Sequence, residues 1–365
     1  MNPHGGAAAG EAGGRPSGRG DDPREAVGDL VGGLIRFSAL YAFVSVGGPE
    51  ALADGPLSGS RTAARCGCDP VLMRRLLRHM QANGIVSGCA TDEYRLTEAG
   101  RLLLPDVPGS MRAGVLLMGS APWRQAFAAL PETVCAGRPQ AFDQDDSPYR
   151  HLARDPALAA VFDRYMVDRG VPVAEALAAR DHDGVATVVD LGGGHGAMLA
   201  AVLRRHPAVT GVLVERDDVA VRAERYLREQ GLSERCRVVA GDLFAMECPP
   251  GERIILSSIL HNWGDEDCAT VLGLVRGALE AAGPASELWC VEGVLPRAEA
   301  EGPHRVVDLD LTMAALFEQG RERTLEQYRE LMERAGLRLT AAHPVPGSVQ
   351  TLMTARAAGG AAATT

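Results

Sequence analysis

The residues best placed to do chemistry start at Asp190, which closes an apolar run and leads through Leu191 into Gly192-Gly193-Gly194-His195-Gly196. Glycines directly after a strand let a ligand approach the backbone, and the helix that follows offers unpaired N–H groups. Gly192-x-Gly194-x-x-Ala197 satisfies a dinucleotide fingerprint, and Glu215 stands at the end of the next strand, where a ribose-binding acid belongs. The glycines alone do not separate a nicotinamide cofactor from an adenosyl sulfonium. Two acids bear on the choice. Asp190 is placed to bind the amino group of a methionine moiety, and Asp242 in Gly241-Asp242-Leu243-Phe244 to accept from an adenine amino group beside a stacking ring. The competing reading of Asp242 is an acid that caps the next turn.

These residues need a scaffold, and the chain from Ala186 onward supplies one. Short β-branched runs (Val185 to Leu191, Gly211 to Val214, Cys236 to Ala240, Ile254 to Ser257, Leu288 to Val291) alternate with helical stretches (Met198 to Arg205, Val219 to Gln230, Cys268 to Leu279). That alternation predicts an α/β fold: a doubly wound parallel sheet covered by helices on both faces, its series closed by Leu288 to Val291. Upstream, Asp69 and Pro70 read as N-cap and first turn of a helix that buries Leu72, Leu76, Leu77 and Met80 and stops at Gly84. Ile85-Val86, a turn through Ala90, Thr91 and Asp92, and Tyr94 to Leu96 then form a small hairpin, which makes a winged-helix arrangement. The stripe of Tyr149, Leu152, Leu158, Val161, Phe162, Tyr165 and Met166, interrupted at Asp155-Pro156, predicts helices whose apolar face is ordinarily core and less often pocket.

Composition removes several functions. The chain has 365 residues and a net charge of −10, which repels nucleic acid and anionic membranes. All 37 cations are arginine, so a Walker-type phosphate loop and Schiff-base chemistry, which need lysine, are excluded. A nicotinamide oxidoreductase also fits poorly, for no tyrosine lies between Tyr226 and Tyr328. Eight cysteines without a Cys-x-x-Cys pair indicate free cytosolic thiols, and Cys66 and Cys68 have no second pair to complete a zinc site. The N-terminus lacks a cationic start followed by an apolar stretch, and nowhere do eighteen apolar residues run together, so a cytoplasmic protein is expected.

Val188 to Gly196, Glu215, Gly241-Asp242-x-Phe244 and Ile259-Leu260-His261-Asn262-Trp263-Gly264-Asp265-Glu266 together resemble the plant-type small-molecule O-methyltransferases, especially actinobacterial members that tailor polyketides and antibiotics. The resemblance runs from Val27 onward and implies a Rossmann-like S-adenosylmethionine-binding domain preceded by an α-helical winged-helix dimerisation domain. Composition, rich in Gly, Ala and Pro at the start and in Ala, Gly and Thr at the end, predicts disordered segments at 1–24 and 357–365; between them the expected parts are a dimerisation domain at 25–105, helices that link and form the acceptor pocket at 106–180 and a catalytic domain at 181–356.

The resemblance also implies roles. His261 would be the general base that takes the acceptor's proton, flanked by Glu292 and Glu322; a carboxylate beside a histidine fixes its tautomer. Asp190, Gly192, Gly193, Gly194, Gly196, Glu215, Gly241, Asp242, Leu243, Phe244 and Ser257 would bind the cofactor. Met166, Asn262, Met313 and Phe317 would meet the acceptor, a phenolic or polyketide-like small molecule. No metal is implied, and His304 reads as a surface residue. Two departures stand out: Ser257 replaces a lysine common in plant members, and Asn262 replaces the acid after the base. Taken without the resemblance, His261 reads equally as a helix-start residue and Glu322 as a solvated loop acid before Thr324-x-x-Gln327. Two other outcomes stay open: methylation at C or N or a non-methylating step on the same scaffold, and a ligand-sensing DNA-binding regulator that presents Arg74, Arg75, Arg78 and His79.

Overall fold

A computed structural model describes residues 22–88, 92–142, 148–296 and 305–359. The chain forms two compact units, which divide between Gly100 and Arg101.

In the first unit, Asp22 caps the helix Pro23–Ser45 by accepting the N–H of Arg24, so the helix includes Pro23 and Arg24 of the segment expected at 1–24. The helix is 23 residues long with a mean hydropathy of 1.5 over its most apolar window, sufficient in length and composition to cross a membrane. Val27, Leu30, Val31, Leu34 and Ile35 share one exposed face of it, each more than 60% exposed. Asp69 caps Pro70–Ala82 through the N–H groups of Val71 and Leu72, as its sequence indicates. The buried face of that helix is Met73, Leu77 and Met80, whereas Leu72 is exposed. The 3.6-residue period fits either set, and the neighbours packed against the helix select between them. Strands Leu57–Ser58, Glu93–Leu96 and Val86–Ser87 form an antiparallel wing in that order. Ala90 and Thr91 of the expected turn lie outside the described residues, as does His304.

The second unit is built on an eight-stranded sheet. Its order is Leu337–Pro344, Gln350–Ala357, Glu287–Leu295, Arg253–Ser257, Thr187–Leu191, Thr210–Glu215 and Cys236–Ala240, with Arg323–Thr324 paired beside Glu287–Leu295. The last five strands of that order are mutually parallel. The sheet does not end at Leu288–Val291 as expected: two antiparallel strands, Leu337–Pro344 and Gln350–Ala357, extend it, so it is mixed. Alternation along the strands feeds two cores. Val189, Val214, Ile254, Leu256 and Leu288 pack under helices Asp265–Ala282 and Leu325–Arg334, while Val188, Leu213, Ile255 and Trp289 pack under Ala197–Arg205 and Asp217–Glu229.

Before the sheet, helices Pro148–Arg154 and Pro156–Ala178 are separated at Asp155, whose carboxylate accepts the N–H groups of Ala157 and Leu158. A residue before proline avoids helical backbone, and a cap there starts the next helix.

Candidate active site

A cavity of about 1050 Å³ opens at the carboxyl ends of the parallel strands, the position where doubly wound sheets bind ligands. Its size is at the upper end of single-ligand pockets, which reach about 1,000 Å³. The floor is the glycine run. Gly192, Gly194 and Gly196 have φ of 72°, 59° and 80°, left-handed values that glycine adopts without a side-chain penalty. A Cβ on Gly193 would meet the Asp190 carboxylate at 2.3 Å, whereas one on Gly194 would meet nothing within 4 Å. The turn is thus packed tightly on one side and open on the cavity side.

Three acids stand around that floor. Asp190 is 1% exposed, its Oδ2 has no hydrogen-bond partner, and burial, helped by the charge on Glu215, pushes its carboxyl up to about 7. Glu215 accepts the N–H of Gly194 at 3.1 Å and that of Arg216 at 2.8 Å, and burial raises its carboxyl as well. Asp242 accepts the N–H of Phe244 at 2.9 Å, so it does cap its turn; it also lines the cavity together with Leu243, Phe244 and Ser257. The rings of Phe244 and Trp263 meet edge to face at 4.7 Å.

The opposite wall comes from helices before the sheet. Tyr149, Leu152, Phe162 and Met166 line the cavity, so four of the seven residues of the stripe expected in the core are pocket wall. Tyr149 lies under the Arg216 guanidinium at 5.0 Å and hydrogen-bonds the side chain of Asn262. Met313 and Phe317, expected at the pocket, are not among its lining residues: Met313 is buried on Arg305–Leu316, and Phe317 packs on the Tyr149 ring at 5.5 Å.

Beside the cavity, the 3₁₀ turn Leu260–Asn262 carries His261, which is 4% exposed and is not itself among the lining residues, although its neighbour Asn262 is. Its Nδ1 is 2.7 Å from Glu322 Oε1 and 3.8 Å from Glu292 Oε2. Glu322 is buried at 2% exposure, which overturns the solvated-loop alternative, although Thr324 and Gln327 do form the capping box. Glu292 accepts the N–H groups of Ile259 and Leu260, and burial followed by the Glu322 charge pushes its carboxyl up to about 7.

Sequence reasoning missed two residues here. Arg323, fully buried, donates to the carbonyls of Leu260 and Trp263 and to Asp265. Gln350, 3% exposed, donates to Ser258 Oγ at 2.8 Å. Arginine directly after Glu322 was the only available signal for the first; Gln350 sits on a strand that the periodicity did not reveal.

Residues 127–338 match the O-methyltransferase domain family. The chain belongs to that family. Among curated relatives it is 33% identical over 329 residues to O-demethylpuromycin-O-methyltransferase of Streptomyces alboniger, covering 89% of this chain and 86% of that one. It is 36% identical over 301 residues to aclacinomycin 10-hydroxylase of Streptomyces purpurascens, covering 79% and 78%. Among solved structures it resembles an O-methyltransferase from neocarzinostatin biosynthesis in complex with S-adenosylmethionine and 2-hydroxy-5-methyl naphthoic acid. The TM-score is 0.71 at 30% identity, over 87% of this chain and 95% of that chain.

S-adenosylmethionine is the cofactor of this methyltransferase fold, and the residues present fit it. The unpartnered Asp190 Oδ2 suits an ammonium group. The open face of Gly194 leaves room for a ligand against the backbone, and Glu215 and Phe244 at neighbouring strand ends suit a ribose and a purine.

Proposed function

We propose that the protein transfers a methyl group from S-adenosylmethionine to a hydroxyl of a small aromatic secondary metabolite, with His261 as general base. The observation that carries this reading is the 2.7 Å contact between the buried His261 Nδ1 and Glu322 Oε1 beside the glycine-floored cavity. A carboxylate there holds the proton on Nδ1 and leaves Nε2 as the acceptor nitrogen. His261 then takes the acceptor's hydroxyl proton at Nε2, and Glu322 supports the imidazolium that forms. Bound S-adenosylmethionine supplies an electrophilic methyl on a sulfonium. Asp190 binds its ammonium, Glu215 its ribose, and Asp242, Leu243 and Phe244 its adenine, with the backbone of Gly192, Gly193, Gly194, Gly196 and Gly241 passing close to it and Ser257 near its polar end. Met166, Asn262 and Tyr149 shape the acceptor side, where orientation of the oxygen supplies most of the remaining acceleration.

The apolar lining and the naphthoate carried by the related structure support an aromatic acceptor, and the antibiotic-biosynthesis relatives support a tailoring role in secondary metabolism. The hydroxylase relative favours a second reading, a non-methylating step on the same scaffold. Tritiated S-adenosylmethionine with hydroxylated naphthoates as probes tests the choice: label recovered in an O-methyl ether supports the proposal, and an unlabelled oxidised product supports the alternative.

We further infer a cytoplasmic homodimer in which a second copy covers the exposed stripe Val27, Leu30, Val31, Leu34 and Ile35. Sedimentation of Leu34→Glu tests this; a monomer is expected, and an unchanged dimer contradicts it.

A further inference from the structure

The backbone that delivers His261 departs from an unusual residue. Ser258 has φ of 57°, one of two non-glycine residues among those described with a positive φ, and the left-handed region is costly for a residue with a side chain. Its N–H donates to Val291 O at 3.0 Å, and its carbonyl accepts from the Asn262 side chain at 3.3 Å. Among the described residues the Ser258 hydroxyl is held by Gln350: Nε2 donates to Oγ at 2.8 Å and also reaches Val291 O at 3.4 Å. Gln350 opens an antiparallel strand, opposite Gly293 and next to the pair Thr351–Glu292, so it is fixed by the ladder rather than by a loop. Immediately after Ser258, Ile259 and Leu260 give their N–H groups to Glu292, and Arg321 N–H donates to the carbonyl of His261 at 2.8 Å. The turn is pinned beyond Ser258 on several sides, and at Ser258 itself the backbone bonds to Val291 and Asn262 are joined by one side-chain bond, from Gln350.

We propose that Gln350 is a positioning residue that helps hold Ser258 in its left-handed conformation and so sets the turn that carries His261 beside the cavity. The proposal rests on the reading of His261 as the base for its kinetic consequence, and on the geometry alone for its structural one. Gln350→Met removes the donor at similar volume. Ser258→Gly removes both the hydroxyl left unpaired and the strain, because glycine takes a φ near +60° freely. A residue that merely packs is not rescued by that second change; a strut is.

The test uses the full chain. The downfield proton resonance of His261 Nδ1–H, followed by NMR without acceptor, reports the contact to Glu322. Tritium transfer to 1,4-dihydroxy-2-naphthoic acid reports the reaction, and calorimetry with S-adenosylhomocysteine reports the cofactor site. Gln350→Met is expected to move the resonance and slow transfer about 10-fold, the size of a lost backbone restraint, while affinity for S-adenosylhomocysteine stays within twofold. Gln350→Met/Ser258→Gly is expected to restore both. If Gln350→Met does not fold, Ser258→Ala, which loses the same hydrogen bond and keeps the glutamine, is expected to show the same shift. A resonance unchanged in the single variants, or a defect that Ser258→Gly leaves in place, overturns the proposal. So does a loss of S-adenosylhomocysteine affinity with an unmoved resonance, which puts Gln350 on the ligand. Full transfer by His261→Ala would instead overturn the base reading and leave the resonance experiment to decide the strut.

Discussion

Glu292 accepts the backbone N–H of Leu260 at 2.8 Å through Oε1, while its other oxygen lies 3.8 Å from His261 Nδ1 without a hydrogen-bond partner. One carboxylate thus fixes the turn that carries His261 and stays buried near a second carboxylate, Glu322.

A pH dependence of stability follows. Burial raises the Glu292 carboxyl to about 7 in the folded protein, against about 4.3 in the unfolded chain. Between those values the folded state holds the extra proton, so stability falls as pH rises. The Glu292 contribution is fully present below about pH 4 and is lost as pH passes about 7. Glu292→Gln keeps an oxygen for the two amides and cannot ionise. Its melting temperature should gain on wild type from pH 5 to pH 8; a constant difference would contradict the assignment.

Cofactor binding should be linked to the proton on Asp190. Its carboxyl is raised to about 7 by burial and by Glu215. An ammonium ligand favours the ionised form, so affinity for S-adenosylhomocysteine should rise with pH through about 7, with proton release at lower pH. Calorimetry in buffers of different ionisation enthalpy measures the release. Asp190→Asn should flatten the profile, and a profile unaltered by the substitution would remove Asp190 from the ammonium site.

The two neighbouring glycines should fail differently. Gly193→Ala drives a methyl to 2.3 Å from Asp190 and 2.5 Å from Leu213, and should destabilise the fold by about 1–3 kcal/mol, as overpacking does. Gly194→Ala enters open space and should cost only about 1–2 kcal/mol of backbone strain at a φ of 59°, yet weaken S-adenosylhomocysteine binding. Thermal melts and titrations of both variants separate the effects; equal affinity loss in the two would contradict the cavity geometry.

His261, Glu292 and Glu322 bring ligand-type atoms within 4.8 Å of one another. Glu292 Oε1 is already occupied by two amides, and Nδ1 faces Glu322 as a hydrogen-bond donor. Protein dialysed against chelator should therefore keep its methyl-transfer rate with 1,4-dihydroxy-2-naphthoic acid, and a metal-dependent recovery would reassign the cluster.

The sequence carried the parts of this site that lie along single strands. The run from Val188 to Gly196, the acid Glu215 and Gly241-Asp242-Leu243-Phe244 mark strand ends, and of these Asp190, Gly192, Gly193, Gly194, Glu215 and the residues from Gly241 to Phe244 line the cavity. The two final strands escaped because Leu337 to Pro344 follows a helix and its alternation in Leu337-Arg338-Leu339-Thr340 is short; the turn around Pro346-Gly347 was the overlooked signal. Arg323 and Gln350 escaped for a different reason: each binds a turn about 60 to 90 residues away, and neither its type nor its spacing encodes that partner. Met313 and Phe317 were placed by resemblance, and packing turns Phe317 onto Tyr149.

The most direct test of the account is the rate of tritium transfer from S-adenosylmethionine to a hydroxynaphthoate probe by wild type, Glu322→Gln and His261→Ala. Loss of the general base should slow transfer about 10²- to 10⁴-fold in His261→Ala, with a smaller loss in Glu322→Gln, while affinity for S-adenosylhomocysteine is kept. Transfer by His261→Ala at the wild-type rate would contradict the central claim.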